Sequence, residues 1–197
     1  MSKTQAGRPR SFDEQDIVDQ ALNVFWTYGG ANTTTRILER ELGITQSSIY
    51  NAFGSKQVLL DRALDRYVEQ IDAQVVAPLD QPGAGAPELF DFVERLMQWI
   101  SSPERPGCLL LNMLGERSTT NPDLVERAQQ YRDRLRVTFH RALSGYGVEQ
   151  ATSRAELMLA SVLGINISAY GGAQASELDA LAGGLRMQLK AWTESSA

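Results

Sequence analysis

The run Gln46-Ser47-Ser48-Ile49-Tyr50-Asn51-Ala52-Phe53 carries five hydrogen-bonding side chains and no charge. At helical spacing Gln46, Ser47, Ser48, Tyr50 and Asn51 face outward while Ile49 and Phe53 pack back. Gln and Asn amides match the donor–acceptor edge of adenine, and a Ser hydroxyl serves either kind of base edge. The run therefore has the chemistry to read a duplex through neutral hydrogen bonds. Other chemistries have little to work with. Cys108 and His140 are the only cysteine and histidine, so one chain forms no disulfide and no cysteine-based metal site. No catalytic residue, metal ligand or cofactor is assigned, and the chain is not expected to be an enzyme. An all-helical thiol enzyme, or a carrier of apolar ligands, is the competing class; as a nucleophile Cys108 would need a nearby base, and His140 is remote in sequence.

The elements that would position the run can be traced from caps and stops. Ser11-Phe12-Asp13-Glu14 matches a capping box, followed by Ile17, Ala21, Leu22 and Phe25 at helical spacing and by Gly29-Gly30 as a stop. A second helix is expected from Thr34 to Leu42, ended by Gly43. Thr45 caps a third through Phe53, ended by Gly54. Two short helices joined through Gly43-Ile44-Thr45 describe a helix-turn-helix, whose second member enters the major groove. Ser55 caps a fourth helix with an apolar stripe from Leu59 to Val75, reaching Pro78. Three prolines and two glycines make residues 78–87 a loop. Further helices are expected over about Glu88–Ser101, Cys108–Ser118, Asp123–Ser144, Ala151–Tyr170 and Ser176–Thr193. No strand alternation or internal repeat stands out. The expected fold is all-α, about nine helices, with a helix-turn-helix domain over residues 1–55 and a second helical domain over 56–197.

A net charge of −5 at first argues against a nucleic-acid partner. The deficit is not uniform. Residues 1–62 hold seven basic and seven acidic side chains, and residues 63–197 hold twelve against seventeen. Lys3, Arg8 and Arg10 precede every acid, so residues 1–10 form a small basic arm. The Arg-rich stretch from Arg127 to Arg141 is interleaved with acids and reads as a solvated face, His140 with it. No apolar run approaches the ~20 residues that cross a bilayer, and the first residues lack a signal-peptide core; a cytoplasmic protein with no membrane partner is expected.

Phe25-Trp26 through Gly29, Thr33-Thr34-Thr35, and the run from Leu42-Gly43-Ile44-Thr45 through Tyr50, Phe53 and Lys56 closely resemble the TetR family of bacterial regulators. The likeness covers about residues 11–65. Glu39 departs from the pattern, standing where the second helix usually has a small Ala. The resemblance implies a transcriptional regulator, typically a repressor released from a palindromic double-stranded operator by a small molecule, although an activator fits the same residues. It implies that Gln46, Ser47 and Asn51 read bases and that Tyr50 and Lys56 touch phosphates. Arg8 and Arg10 would lie along the backbone or in the minor groove, and Thr34, Thr35, Arg36, Thr45 and Ser48 complete the DNA-facing set. It further implies that residues 56–197 bind ligand and dimerise, the last two long helices pairing with their copies as a homodimer.

Beyond residue 65 the likeness is looser. Pro106-Gly107-Cys108-Leu109-Leu110-Leu111-Asn112, with Glu116, resembles a branch of the family with Gly-Cys-Leu at the start of the sixth helix. Cys108, near a helix N-terminus and Arg105, has the setting of an oxidant or electrophile sensor; equally it has the character of a small buried core residue. Phe92, Met97, Trp99, Met113, Tyr131, Met158 and Tyr170 are candidates to line an apolar cavity, with Cys108 beside them and Asn112 or His140 as the orienting polar group.

Overall fold

The computed structural model describes residues 12–102, 106–114, 122–146 and 148–194. Among these the chain is all-helical: α1 (Glu14–Tyr28), α2 (Thr35–Leu42), α3 (Gln46–Phe53), α4 (Lys56–Ile71), α5 (Ala86–Ile100), α6 (Leu109–Met113), α7 (Pro122–Ser144), α8 (Val148–Tyr170) and α9 (Ala175–Glu194), with no strand. None of the described helices is long and apolar enough to cross a membrane.

The chain divides into two compact units, the first ending at Tyr67 and the second starting at Val68. The first is built on α1, whose Ile17, Ala21, Leu22 and Phe25 are buried. Asp13 caps α1, accepting from the Gln15 amide at 2.8 Å. The expected capping box is thus displaced: Ser11 lies outside the described residues, and Glu14, the first residue of the helix, pairs instead with Arg62 at 3.1 Å. Arg66 likewise pairs with Asp19 at 3.0 Å, and the Tyr67 ring meets Trp26 edge-on at 5.0 Å. Leu59, Leu60, Ala63, Leu64 and Tyr67 are fully buried. These α4 residues complete the first core, and the first compact unit runs into α4 as far as Tyr67.

In the second unit, α4 passes into a π turn, Asp72–Val76. The wider turn lets consecutive Val75 and Val76 both face inward, at 1% and 0% exposure. Helix α5 starts at Ala86, two residues before the position read from the prolines. Pro87 sits in the first turn, where its missing N–H costs nothing; the Glu88 carboxylate accepts from the Gly85 amide at 2.8 Å, and the Tyr146 hydroxyl accepts from that of Ala86 at 2.7 Å. Helices α7 and α8 lie against each other, α9 packs on α5 and α8, and Phe92 meets Phe139 edge-on at 5.1 Å.

The loop after the π turn is tied down by charge. Asp80 accepts from Arg141 at 2.6 Å and from Arg134 at 3.1 Å, and Arg134 also holds Asp72 at 2.5 Å. The Arg141 hydrogen bond, with help from Arg134, holds the Asp80 carboxyl below its ordinary range against the opposing effect of burial. A carboxyl with a lowered folded-state pKa stabilises above its unfolded value and loses that contribution as pH falls through the folded value. Asp80→Asn should therefore lower the urea midpoint of unfolding across pH 5–8. The gap between variant and parent should shrink below about pH 4, near the ordinary Asp value; a gap constant down to pH 2 would contradict the network.

Candidate nucleic-acid interface

Helix α3 has only eight residues, too few to persist alone in water. Its position is imposed from both ends and from one side. At the front, Gly43 takes the left-handed conformation (φ +65°) that ends α2, and its amide donates to the Glu39 carbonyl at 3.1 Å. No side chain with a Cβ adopts that turn cheaply. Thr45 then caps α3, accepting from the Ser48 amide at 3.2 Å, while its hydroxyl lies 2.9 and 3.0 Å from those of Ser47 and Ser48. At the back, the Gly54 amide donates to the Tyr50 carbonyl at 2.8 Å. Ile49 and Phe53 are buried, and the Arg62 guanidinium covers the Phe53 ring at 5.4 Å.

With that side turned in, Ser47, Tyr50 and Asn51 are exposed and Gln46 and Ser48 are half-buried. Tyr50 is 48% exposed, unusual for an aromatic residue with no neighbour to cover it. Tyr50 and Asn51 make no side-chain hydrogen bond among the described residues and are open to an outside partner. At the start of α2, Thr34 caps the helix, its hydroxyl oxygen accepting from the Ile37 amide at 3.2 Å. Thr35 is half-buried beside it, and Arg36 is exposed and without an ion pair among the described residues. Arg8 and Arg10 lie outside the described residues.

Two residues have contacts that the spacing alone did not suggest. Lys56 reaches back to the turn before α2, donating to the Thr33 carbonyl at 2.8 Å and the Gly30 carbonyl at 3.4 Å. Burial lowers its pKa from the ordinary lysine value. Its ammonium thus holds the Gly30–Thr33 turn, together with the buried Thr33 hydroxyl, which donates to the Gly29 carbonyl at 2.6 Å. Glu39 accepts from the Gln46 amide nitrogen at 3.1 Å, linking α2 to α3. The departure at Glu39 was visible in sequence; its partner was not.

In the second unit, Phe92, Met97, Cys108, Met113, Tyr131 and Met158 are buried. Trp99 is half-buried and lines a cleft of about 310 Å³ with Ala73, Gln74, Val75, Arg95 and Gln98. Tyr170 is exposed at the end of α8 and is not gathered with the others. Tyr131 stays a neutral phenol: burial, with Cys108 and Asp72 nearby, raises its pKa well above the ordinary value. Asn166, missed in sequence, is 1% exposed. It accepts from the Cys108 amide and donates to the Asn112 side-chain oxygen at 2.9 Å, and Asn112 donates to the Pro106 carbonyl at 3.3 Å. A Cβ at Gly107 (φ +75°) would come within 3.0 Å of both Asn oxygens. The Gly107-Cys108-Leu109 run is accordingly a clamp between the start of α6 and α8. A lone Asn between Ile165 and Ile167 was the available signal.

The family model for bacterial regulatory proteins, tetR family, matches residues 17–63. The chain is similar to the HTH-type transcriptional repressor ComR of Escherichia coli, 27% identical over 98% of this chain and 94% of that one. It is also similar to an HTH-type transcriptional regulator, YezE, of Bacillus subtilis, 28% identical over 70% and 71%. Among solved structures, a cysteine mutant of the TetR family transcriptional regulator CifR, complexed with 26bp double-strand operator DNA, superposes with a TM-score of 0.82 at 22% identity, covering 94% of this chain and all of that one. A TetR transcriptional regulator from Chloroflexus aurantiacus superposes at 0.75 with 24% identity, over 89% and 93%.

If Lys56 holds the turn ahead of α2, Lys56→Met, which keeps the stem and loses the ammonium, should cost roughly 1–2 kcal/mol in chemical denaturation. Unchanged stability would assign the ammonium to solvent.

Proposed function

We infer that this chain, which belongs to the tetR family of bacterial regulatory proteins, is a DNA-binding transcriptional regulator that acts as a repressor in the cytoplasm. The observation that carries the reading is the outer face of α3: a polar, uncharged, exposed side on a helix whose other side is anchored by Ile49 and Phe53. Gln46, Ser47 and Asn51 read base edges in the major groove. Tyr50 and Arg36, exposed and without a hydrogen bond or ion pair among the described residues, contact phosphates, with Ser48, Thr45, Thr34 and Thr35 supporting them. Arg8 and Arg10 of the N-terminal arm add charge along the backbone. Lys56 acts mainly by holding the turn before α2, and its helix start offers backbone N–H groups to a phosphate.

The repressor works as a homodimer. On α8, Leu157, Ala160, Gly164 and Ile167, continued by Gly171 just past its end, are exposed at alternating spacings of three and four, and on α9 Ala180, Gly184, Met187 and Ala191 follow the same rule. Ile167 and Met187 are 67% and 71% exposed, more apolar surface than a lone domain gains by showing. Small residues between them let helices from a second copy approach closely. A two-fold pair presents two copies of α3 to a palindromic operator.

The effector is a small molecule taken up among the buried apolar residues of the second unit, Phe92, Met97, Met113, Tyr131 and Met158. It releases the operator by binding more tightly to a dimer whose reading heads no longer fit the DNA. Cys108 is fully buried. That favours an apolar ligand over direct oxidation of the thiol, since susceptibility follows exposure.

Selection from a random duplex pool should return an inverted repeat with half-sites about one helical turn apart or slightly more, and Tyr50→Ala should weaken binding to it about tenfold. Unrelated enriched sequences, or Tyr50→Ala binding as tightly as the parent, would contradict this docking. Ile167→Asp combined with Met187→Asp should convert the dimer to a folded monomer by light scattering and circular dichroism. Loss of the paired heads should lower operator affinity by about a hundredfold; a variant that stays dimeric places the interface elsewhere.

A further inference from the structure

Glu39 and Gln46 form a side-chain hydrogen bond between α2 and α3, 3.1 Å from the amide nitrogen to the carboxylate. An ionised carboxylate has acceptors and no donor. Only the nitrogen end of the Gln46 amide can therefore face Glu39, which fixes an orientation that a free glutamine leaves open. Both residues are half-buried, so the contact is partly shielded from competing water. With one N–H committed to Glu39, Gln46 keeps its carbonyl oxygen and its second N–H.

That remaining pair matches one base. Adenine offers the N6 amino group as donor and N7 as acceptor in the major groove, whereas guanine offers two acceptors, O6 and N7. A Gln46 whose carbonyl is turned outward meets guanine O6 oxygen to oxygen. We propose that Glu39 is a specificity-determining, positioning residue: by holding the Gln46 amide through its nitrogen, it makes that position of each half-site select adenine and reject guanine. The proposal rests on the reading of α3 as the base-reading helix. It assigns Glu39 no contact with DNA of its own.

The test is selection of bound sequences by the full-length parent, Glu39→Gln, Glu39→Ala, Gln46→Ala and the Glu39→Gln/Gln46→Ala double variant, followed by affinity ratios for adenine against guanine at the position whose preference Gln46→Ala abolishes. Glu39→Gln is nearly isosteric and keeps the fold, yet its amide presents either end, so Gln46 can turn over. The parent should prefer adenine. Both Glu39 variants should relax that preference about five- to tenfold, within the range of a single bidentate contact, and Glu39→Gln should have no effect on it once Gln46 is alanine. Removing a carboxylate near DNA raises affinity for every sequence, so the ratio and not the affinity is read. A parent preference for guanine there, an unchanged ratio in Glu39→Gln, or a ratio shift that persists without Gln46 overturns the proposal. A parent that enriches no duplex sequence at all overturns the reading of α3 itself, and is told apart because it fails before any variant is compared.

Discussion

The structure depends first on the anchoring of an eight-residue helix. Helix α3 cannot stand alone, and burial of Ile49 and Phe53 supplies roughly 1.5–3 kcal/mol each. Those two side chains fix its rotation about its own axis. Once they are turned in, Ser47, Tyr50 and Asn51 have nowhere to point but solvent or a partner. The left-handed Gly43 and the Thr45 cap set where the helix begins, so the polar face and the N-terminal N–H groups are presented together.

Around this anchor, polar groups in the first unit act mostly on backbone. Thr33 and Lys56 close the turn before α2 through carbonyls, and Thr34 and Thr45 satisfy helix starts. Such bonds hold loops and helix starts in place, and the Thr45 hydroxyl also meets those of Ser47 and Ser48. Glu39 differs, because it reaches from the neighbouring helix to hold the amide of an outward residue. A structural bond thereby constrains which end of an amide faces outside, a direct route from packing to selectivity.

In the second unit several polar groups form internal ties. Arg134 and Arg141 bind the loop after the π turn to α7 through Asp80, and Asn166 and Asn112 fasten the start of α6 to α8. Among its exposed side chains are large apolar ones, Leu157, Ile167 and Met187, on the outer faces of α8 and α9. A buried apolar interior and exposed apolar side chains on α8 and α9 are the features on which the proposed small-molecule site and the proposed dimer rest.

Caps, glycine stops and 3.6-residue periodicity are local, so the amino-acid sequence by itself determined the all-helical class, the limits of α2 and α3, and the split of residues 46–53 into inward and outward sets. Prolines misled at Pro87 because the same residue ends one helix and begins another, and the π turn escaped because two adjacent valines break no pattern. The end of the first unit at Tyr67, the reach of Lys56 to Thr33, the grip of Glu39 on Gln46 and the Asn166 clamp were decided only in three dimensions. Each joins residues that no single helical period relates, 7 to 58 positions apart in the bonds concerned. Local propensity carries no information about which distant groups meet; the packing of helices on a shared core does.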